Sequence, residues 1–149
     1  MSLDQEASQR IYIDCNVILN FIYEIPDRPD LVDSSIRLLE NITKCKYYLV
    51  ASDGLLREIK KITKWSEEKI KEDIFRPYEI INKIEWVKLT KKIAEEAVYF
   101  SSIFGIHSKD AIHAAMASMY DCWLITFDYD LKEASGKAGI DVYDPRNLL

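Results

Sequence analysis

Asp14 closes the apolar run "RIYID", Glu58 sits inside "LLREI", Asp110 opens "DAIHAA", and Asp128 and Asp130 follow "CWLITF". Asp14 follows one apolar run and precedes another, which leaves its side chain little room to reach water. Glu58 comes three residues after Leu55 and four before Ile62, so helical spacing turns it toward the core edge. Each acid has a plainer use. Asp110 and Asp128 stand at helix starts, where a carboxylate can accept from free backbone N–H groups and favour the helix dipole. Glu58 could pair with Lys61, and Asp130 could face water.

Taken as a set, the acids imply different chemistry. Carboxylates converging in one cleft repel one another and take up protons near neutral pH unless a cation holds them. Ligation by oxygen alone selects a hard ion, Mg²⁺ or Mn²⁺, which keeps several of its waters. Such an ion can orient a phosphodiester, lower the pKa of an attacking water and offset charge on the leaving oxygen. Other metal chemistries are not expected. His107 and His113 are six apart and do not share a helix face as H-E-x-x-H requires, and Cys15, Cys45 and Cys122 form no C-x-x-C pair.

The elements that must position these acids read as alternating strands and helices. Strands are expected at Arg10–Asp14, Tyr47–Ala51, around "EWVKL", at "CWLITF" and at "GIDVYD". Helices are expected from Asn16, over Leu31–Thr43, after a Ser52 cap, over Trp65–Glu85 with a break or kink at Pro77, from a Thr90 cap to a Gly105 stop, after a Ser108 cap, and over "DYDLKEASG". Ala111, Ala114, Ala115, Ala117 and Ser118 make a small-residue helix able to approach a sheet closely. The alternation predicts an α/β fold, a three-layer sandwich whose central, mostly parallel sheet of four or five strands is flanked by helices. With 149 residues and no linker or repeat, the chain is expected to be a single domain spanning 1–149. Sites in open parallel sheets form beyond the carboxyl ends of strands, where Asp14 and Asp128 stand.

Charge is uneven. Residues Arg57–Lys92 hold 11 Lys and Arg against 7 Asp and Glu, whereas the rest of the chain holds 9 against 18, within a net charge of -5. The basic arc suits a polyanion: Lys60, Lys61, Lys64 and Lys69 are candidates to contact phosphates, and Trp65, Tyr78 and Trp86 to stack bases. Charged helices facing water, and aromatics in the core, are the plainer alternatives. The opening MSLDQEASQR lacks a signal-peptide apolar core and no stretch is long enough to span a membrane, so a cytoplasmic protein is expected.

"IDCNVIL", Glu58 in "LLREI", "DAIHAA" and "LITFDYD" resemble, in this order and over nearly the whole chain, the motifs of PIN-domain ribonucleases, including VapC-type toxins. The resemblance implies that Asp14, Glu58, Asp110 and Asp128 form the catalytic quartet, with Asp14, Asp110 and Asp128 on Mg²⁺ or Mn²⁺, Asp130 as an auxiliary acid, and Asn16 and Thr126 as polar supports. Cys15 departs from the Thr or Ser usual at its position, which weakens any hydroxyl role there. The resemblance also implies an endoribonuclease acting on single-stranded or structured RNA and leaving a 5′-phosphate and a 3′-hydroxyl, a homodimer, and a small antitoxin partner. The alternatives are a catalytically silent PIN-like module that binds RNA or protein, and, from "DYD" after an apolar strand, an aspartyl phosphatase, for which only 19 residues follow Asp130.

Overall fold

The computed structural model describes residues 8–24 and 26–148; the polar start, residues 1–7, lies outside the described residues. Strands β1 (Gln9–Ile13), β2 (Tyr47–Ser52), β3 (Ile84–Val87), β4 (Trp123–Ile125) and β5 (Val142–Tyr143) form one sheet in the order β3-β2-β1-β4-β5. All four pairings are parallel, so the expected mostly parallel sheet is wholly so. The chain leaves β1 for β2 and β3 on one side and returns to β4 and β5 on the other. This reversal puts a crevice at the carboxyl ends of the central strands.

Eight α-helices cover the sheet among the described residues: α1 (Cys15–Tyr23), α2 (Pro29–Thr43), α3 (Asp53–Thr63), α4 (Glu67–Ile70), α5 (Arg76–Ile80), α6 (Lys91–Phe104), α7 (Ser108–Met119) and α8 (Tyr129–Lys137). The strands explain the two layers. A parallel strand is buried on both faces, and its side chains alternate between them. Ile11, Ile13, Leu49, Ala51 and Ile125 pack against α1 to α5, whereas Tyr12, Val50 and Leu124 pack against α6 to α8. On α7, Ala111, Ala114, Ala115 and Ala117 are all at most 1% exposed, so the small residues bring this helix close to the sheet, as their sizes predict.

Several local expectations hold in the structure. Ser52 Oγ accepts from the Leu55 N–H, Thr90 Oγ1 from the Ile93 N–H, and Gly105 ends α6 at φ 69°. Others shift. The long helix expected over Trp65–Glu85 is split by a π-helical turn at Lys71–Phe75 and ends at Ile80, before β3. Pro77 lacks the N–H that would bond four residues back, and its ring crowds that carbonyl; the wider turn just before it accommodates both. Asp14 caps α1, so that helix begins at Cys15 rather than Asn16. His107, not Ser108, caps α7: its Nδ1 accepts from the Lys109 N–H at 3.4 Å.

Candidate metal centre

Asp14 follows β1 directly, and its amide bonds the Ile125 carbonyl at 2.9 Å, carrying the β1–β4 register one residue beyond the strand. The side chain is 7% exposed. Its Oδ1 accepts from the Cys15 N–H at 2.7 Å and its Oδ2 from the Thr126 hydroxyl at 2.8 Å. Thr126 Oγ1 in turn accepts from the Asp128 N–H at 3.0 Å and from Asn16 Nδ2 at 3.3 Å. Thr126 therefore ties the end of β1 to the turn after β4, and Asn16 braces it. Asp128 caps α8 by accepting from the Leu131 N–H at 3.1 Å. One capping oxygen leaves the other available, so capping and ligation do not exclude each other at Asp128.

Glu58 reaches the same region from the middle of α3, and the expected bland partner, Lys61, does not hold it. His113 does: its Nε2 lies 2.5 Å from Glu58 Oε1. His113 is 2% exposed and stands one helical turn after Asp110 on α7. Its Nδ1 lies 2.7 Å from the Tyr12 hydroxyl, which is also 2.7 Å from Ser52 Oγ. Because Ser52 Oγ already accepts from the Leu55 N–H, one assignment satisfies every group: Ser52 donates to Tyr12, Tyr12 donates to His113 Nδ1, and His113 Nε2–H donates to Glu58. If His113 is doubly protonated, Nε2–H still faces Glu58.

One ligand atom from each of Asp14, Glu58 and His113 lies within 4.8 Å of the others. Asp110, half-buried in the first turn of α7, completes the negative cluster. Burial, then the charges of Asp14 and Asp128, push its carboxyl above the usual carboxylate range, against the pull of His113 and His107. Asp14 is also raised, by burial first and by Glu58, despite the opposing effects of His113, Thr126 and the Cys15 N–H. Burial disfavours the charged form of His113, but the hydrogen bond and charge of Glu58, with Asp14 and Asp110, raise it above the usual histidine range overall. The Cys15 thiol is pushed up to about 12 by burial, then by Glu58 and Asp14, and stays neutral.

The residues fit a hard divalent cation. Burial and mutual repulsion disfavour the ionised form of these acids, and a bound cation offsets both; Asp14 Oδ1 and Oδ2 are oriented by donors that leave lone pairs free. Two hollows flank the cluster. One, about 280 Å³, is lined by Asp110, Asp128 and Asp130; the other, about 440 Å³, is walled by Glu58 and His113.

The sequence expected Asp14, Glu58, Asp110 and Asp128 in one site, with Asn16 and Thr126 as braces; the structure groups Asp14 with Glu58 and His113, links Asp128 to Asp14 through Thr126, which Asn16 also bonds, and sets Asp110 beside Asp128 on the smaller hollow. Sequence reasoning missed His113 and Tyr12. The six-residue spacing of His107 and His113 excludes them only as a ligand pair, whereas the i+3 spacing of His113 from Asp110 puts both on one face of α7. The basic and aromatic candidates divide. Lys61, with Arg57, borders both the 440 Å³ cleft and an adjoining shallow surface, and Lys60 and Lys64 line only the latter, with Glu67. Lys69 pairs with Asp73 at 2.8 Å and lies 4.4 Å over the Trp65 ring, so its charge is already matched. Tyr78 is 5% exposed and Trp86 packs edge-on against Phe75, so neither is placed to stack a base.

Comparison with known proteins gives the following. The PIN domain family matches residues 11–137 of the chain. No curated protein matches it. Among solved structures, FitAB bound to the IR36 DNA fragment is similar with a TM-score of 0.66 and 19% identity over 93% of this chain and 97% of that one. VapBC2 from Rickettsia felis, bound to a DNA fragment from its promoter, has a TM-score of 0.63 and 18% identity over 91% and 98%. A toxin-antitoxin complex from Klebsiella pneumoniae has a TM-score of 0.62 and 19% identity over 91% and 97%. At these identities the likeness is one of fold.

Proposed function

The chain belongs to the PIN domain family, and on that premise we propose that it is a metal-dependent endoribonuclease, the toxin of a toxin-antitoxin pair. The observation that carries the reading is the meeting of Asp14, Glu58 and His113 within 4.8 Å, with the charges of Asp14 and Asp128 close enough to raise the proton affinity of Asp110. Asp14, Asp110 and Asp128 would hold Mg²⁺ or Mn²⁺. The bound ion supplies Lewis acidity toward a phosphoryl oxygen and a more acidic bound water.

The chain's own groups do the rest. Thr126 and the Cys15 N–H fix the Asp14 carboxylate, Asn16 braces Thr126, and Asp130 adds negative charge at the mouth of the smaller hollow. Glu58 accepts a proton from the attacking water and orients it. His113 holds Glu58 through Nε2 and is itself held by Tyr12 and Ser52. Hydrolysis then needs no protein nucleophile and leaves a 5′-phosphate and a 3′-hydroxyl. The test is cleavage of a mixed-sequence RNA oligonucleotide. Activity is expected with Mn²⁺, is abolished by EDTA, and is absent in Asp14→Asn; cleavage that survives both EDTA and that substitution ends the proposal.

Partners fall under the same reading. One of the similar solved structures is a toxin-antitoxin complex from Klebsiella pneumoniae, which supports a small antitoxin as partner. No helix among the described residues is long and apolar enough to cross a membrane, in keeping with a cytoplasmic site of action. On α6, Val98, Tyr99 and Ile103 are 66%, 51% and 61% exposed, more apolar surface than a helix facing only water usually carries. This face supports the homodimer. Val98→Glu with Ile103→Glu is expected to convert a dimer to a monomer in light scattering with the melting temperature of the subunit unchanged; a dimer that persists places the interface elsewhere.

A further inference from the structure

The 440 Å³ cleft beside the acids has a composition that the hydrolytic chemistry does not account for. Glu58 and His113 form one wall, so the cleft opens onto the candidate metal centre. Arg57 and Lys61 from α3, Lys88 from the loop after β3 and Lys109 from the first turn of α7 surround it, and Asp53 is the other acid on its border. These four cations form no ion pair among the described residues, whereas Arg10, Arg28, Lys69 and Arg146 all do. Three chain segments far apart in sequence thus bring unpaired positive charge to one hollow. Its floor is apolar: Leu89, 46% exposed, and Ile112 over buried Met116.

An apolar floor within a ring of four cations matches a nucleotide, with its base on the floor and the adjoining phosphates on the rim. The volume lies within the roughly 300 to 1,000 Å³ of small-ligand sites, enough for one unstacked nucleotide and too little for a duplex. We propose that this cleft is a subsite for single-stranded RNA, seating the nucleotide next to the scissile phosphate with its base over Leu89 and Ile112 and its phosphates on Arg57, Lys61, Lys88 and Lys109. A base must leave its stack to reach the floor, so the subsite selects single strands or loops over paired RNA. The identity of the polyanion rests on the ribonuclease reading; the binding itself does not, and is measured without cleavage.

The experiment is fluorescence anisotropy of a labelled twelve-nucleotide RNA with the full chain in EDTA, where the cleft acts apart from any metal. The single strand is expected to bind at least about ten times more tightly than the same sequence as a duplex. With the two phosphates that flank the seated nucleotide neutralised, the logarithm of affinity should fall against the logarithm of salt with a slope of about -1.4, and Lys88→Ala should flatten it by up to about 0.7. Lys88→Glu with Lys109→Glu should lower affinity at least tenfold, while Lys132→Glu with Lys137→Glu, on α8 away from the cleft, should not. Leu89→Asp should weaken the single strand and bring it toward the duplex. Equal binding of single strand and duplex, or unchanged affinity in the Lys88/Lys109 pair, overturns the subsite. So does a glutamate-rich peptide of equal charge that competes as well as RNA. Cleavage assays with Mn²⁺ separate the two proposals: binding as described without cleavage leaves the subsite and removes the nuclease, and cleavage indifferent to the cleft variants does the reverse.

Discussion

Asp110→Asn is expected to lower RNA cleavage about 10³-fold while leaving the metal-free protein as stable as the wild type, or more so. The rate follows from the metal: losing about 4 kcal/mol of its charge stabilisation corresponds to roughly 10³. The stability follows from the sign of the Asp110 shift. Burial and the charges of Asp14 and Asp128 raise its folded-state pKa above the ordinary 3.8. An acid raised on folding carries no penalty below its unfolded pKa and the full penalty above its folded one, so the metal-free protein loses stability as pH rises through that window. Asn removes the penalty. In the wild type a divalent ion removes it instead: Mn²⁺ at about 100 times its dissociation constant adds about 2.7 kcal/mol, or roughly 5 to 10 °C in melting temperature for a domain of this size. Thermal melts with and without Mn²⁺ check both halves. A wild type unmoved by Mn²⁺, or an Asn variant moved equally, removes Asp110 from the metal centre.

Why the acids were legible and the cleft was not has a physical basis. Asp14 and Asp128 each follow a short apolar run that only a buried strand explains, and parallel strands bring their carboxyl ends to one side of a sheet. Glu58 and Asp110 enter by helical phase, which local spacing fixes. The family resemblance supplied their order. The cleft depends instead on how the loop holding Lys88 and Leu89 lies against α3 and the start of α7, which no local periodicity encodes. The basic arc therefore pointed to Lys60, Lys61 and Lys64, which are close in sequence, whereas folding joins Lys61 to Arg57, Lys88 and Lys109 around the cleft. The π turn at Lys71–Phe75 was foreshadowed only by Pro77. Tyr12 went unread because one hydroxyl in a buried strand carries no sequence signature, yet its burial obliges it to find a partner.

That partner, His113, separates stability from activity in a way its two nitrogens make testable. Nδ1 faces the Tyr12 hydroxyl in the core and Nε2 faces Glu58 at the site. Alanine removes both contacts, leaving the buried Tyr12 hydroxyl with Ser52 as its remaining side-chain partner and a cavity beneath α7, for an expected loss of about 3 kcal/mol. Asparagine carries an acceptor near the Nδ1 position and no donor that reaches Glu58; glutamine carries a donor near Nε2 and nothing at Nδ1. His113→Asn should therefore recover most of the stability lost in His113→Ala while cleavage stays down by roughly 10- to 100-fold, the usual effect of losing a group that orients an active carboxylate. His113→Gln should recover cleavage at a lower melting temperature. If His113 only fills the core, the two variants will lose stability and activity in the same proportion. A positioning role predicts instead that kcat follows the Glu58 contact, the melting temperature follows the Tyr12 contact, and KM for RNA changes in neither, because the cleft cations that hold the strand are untouched.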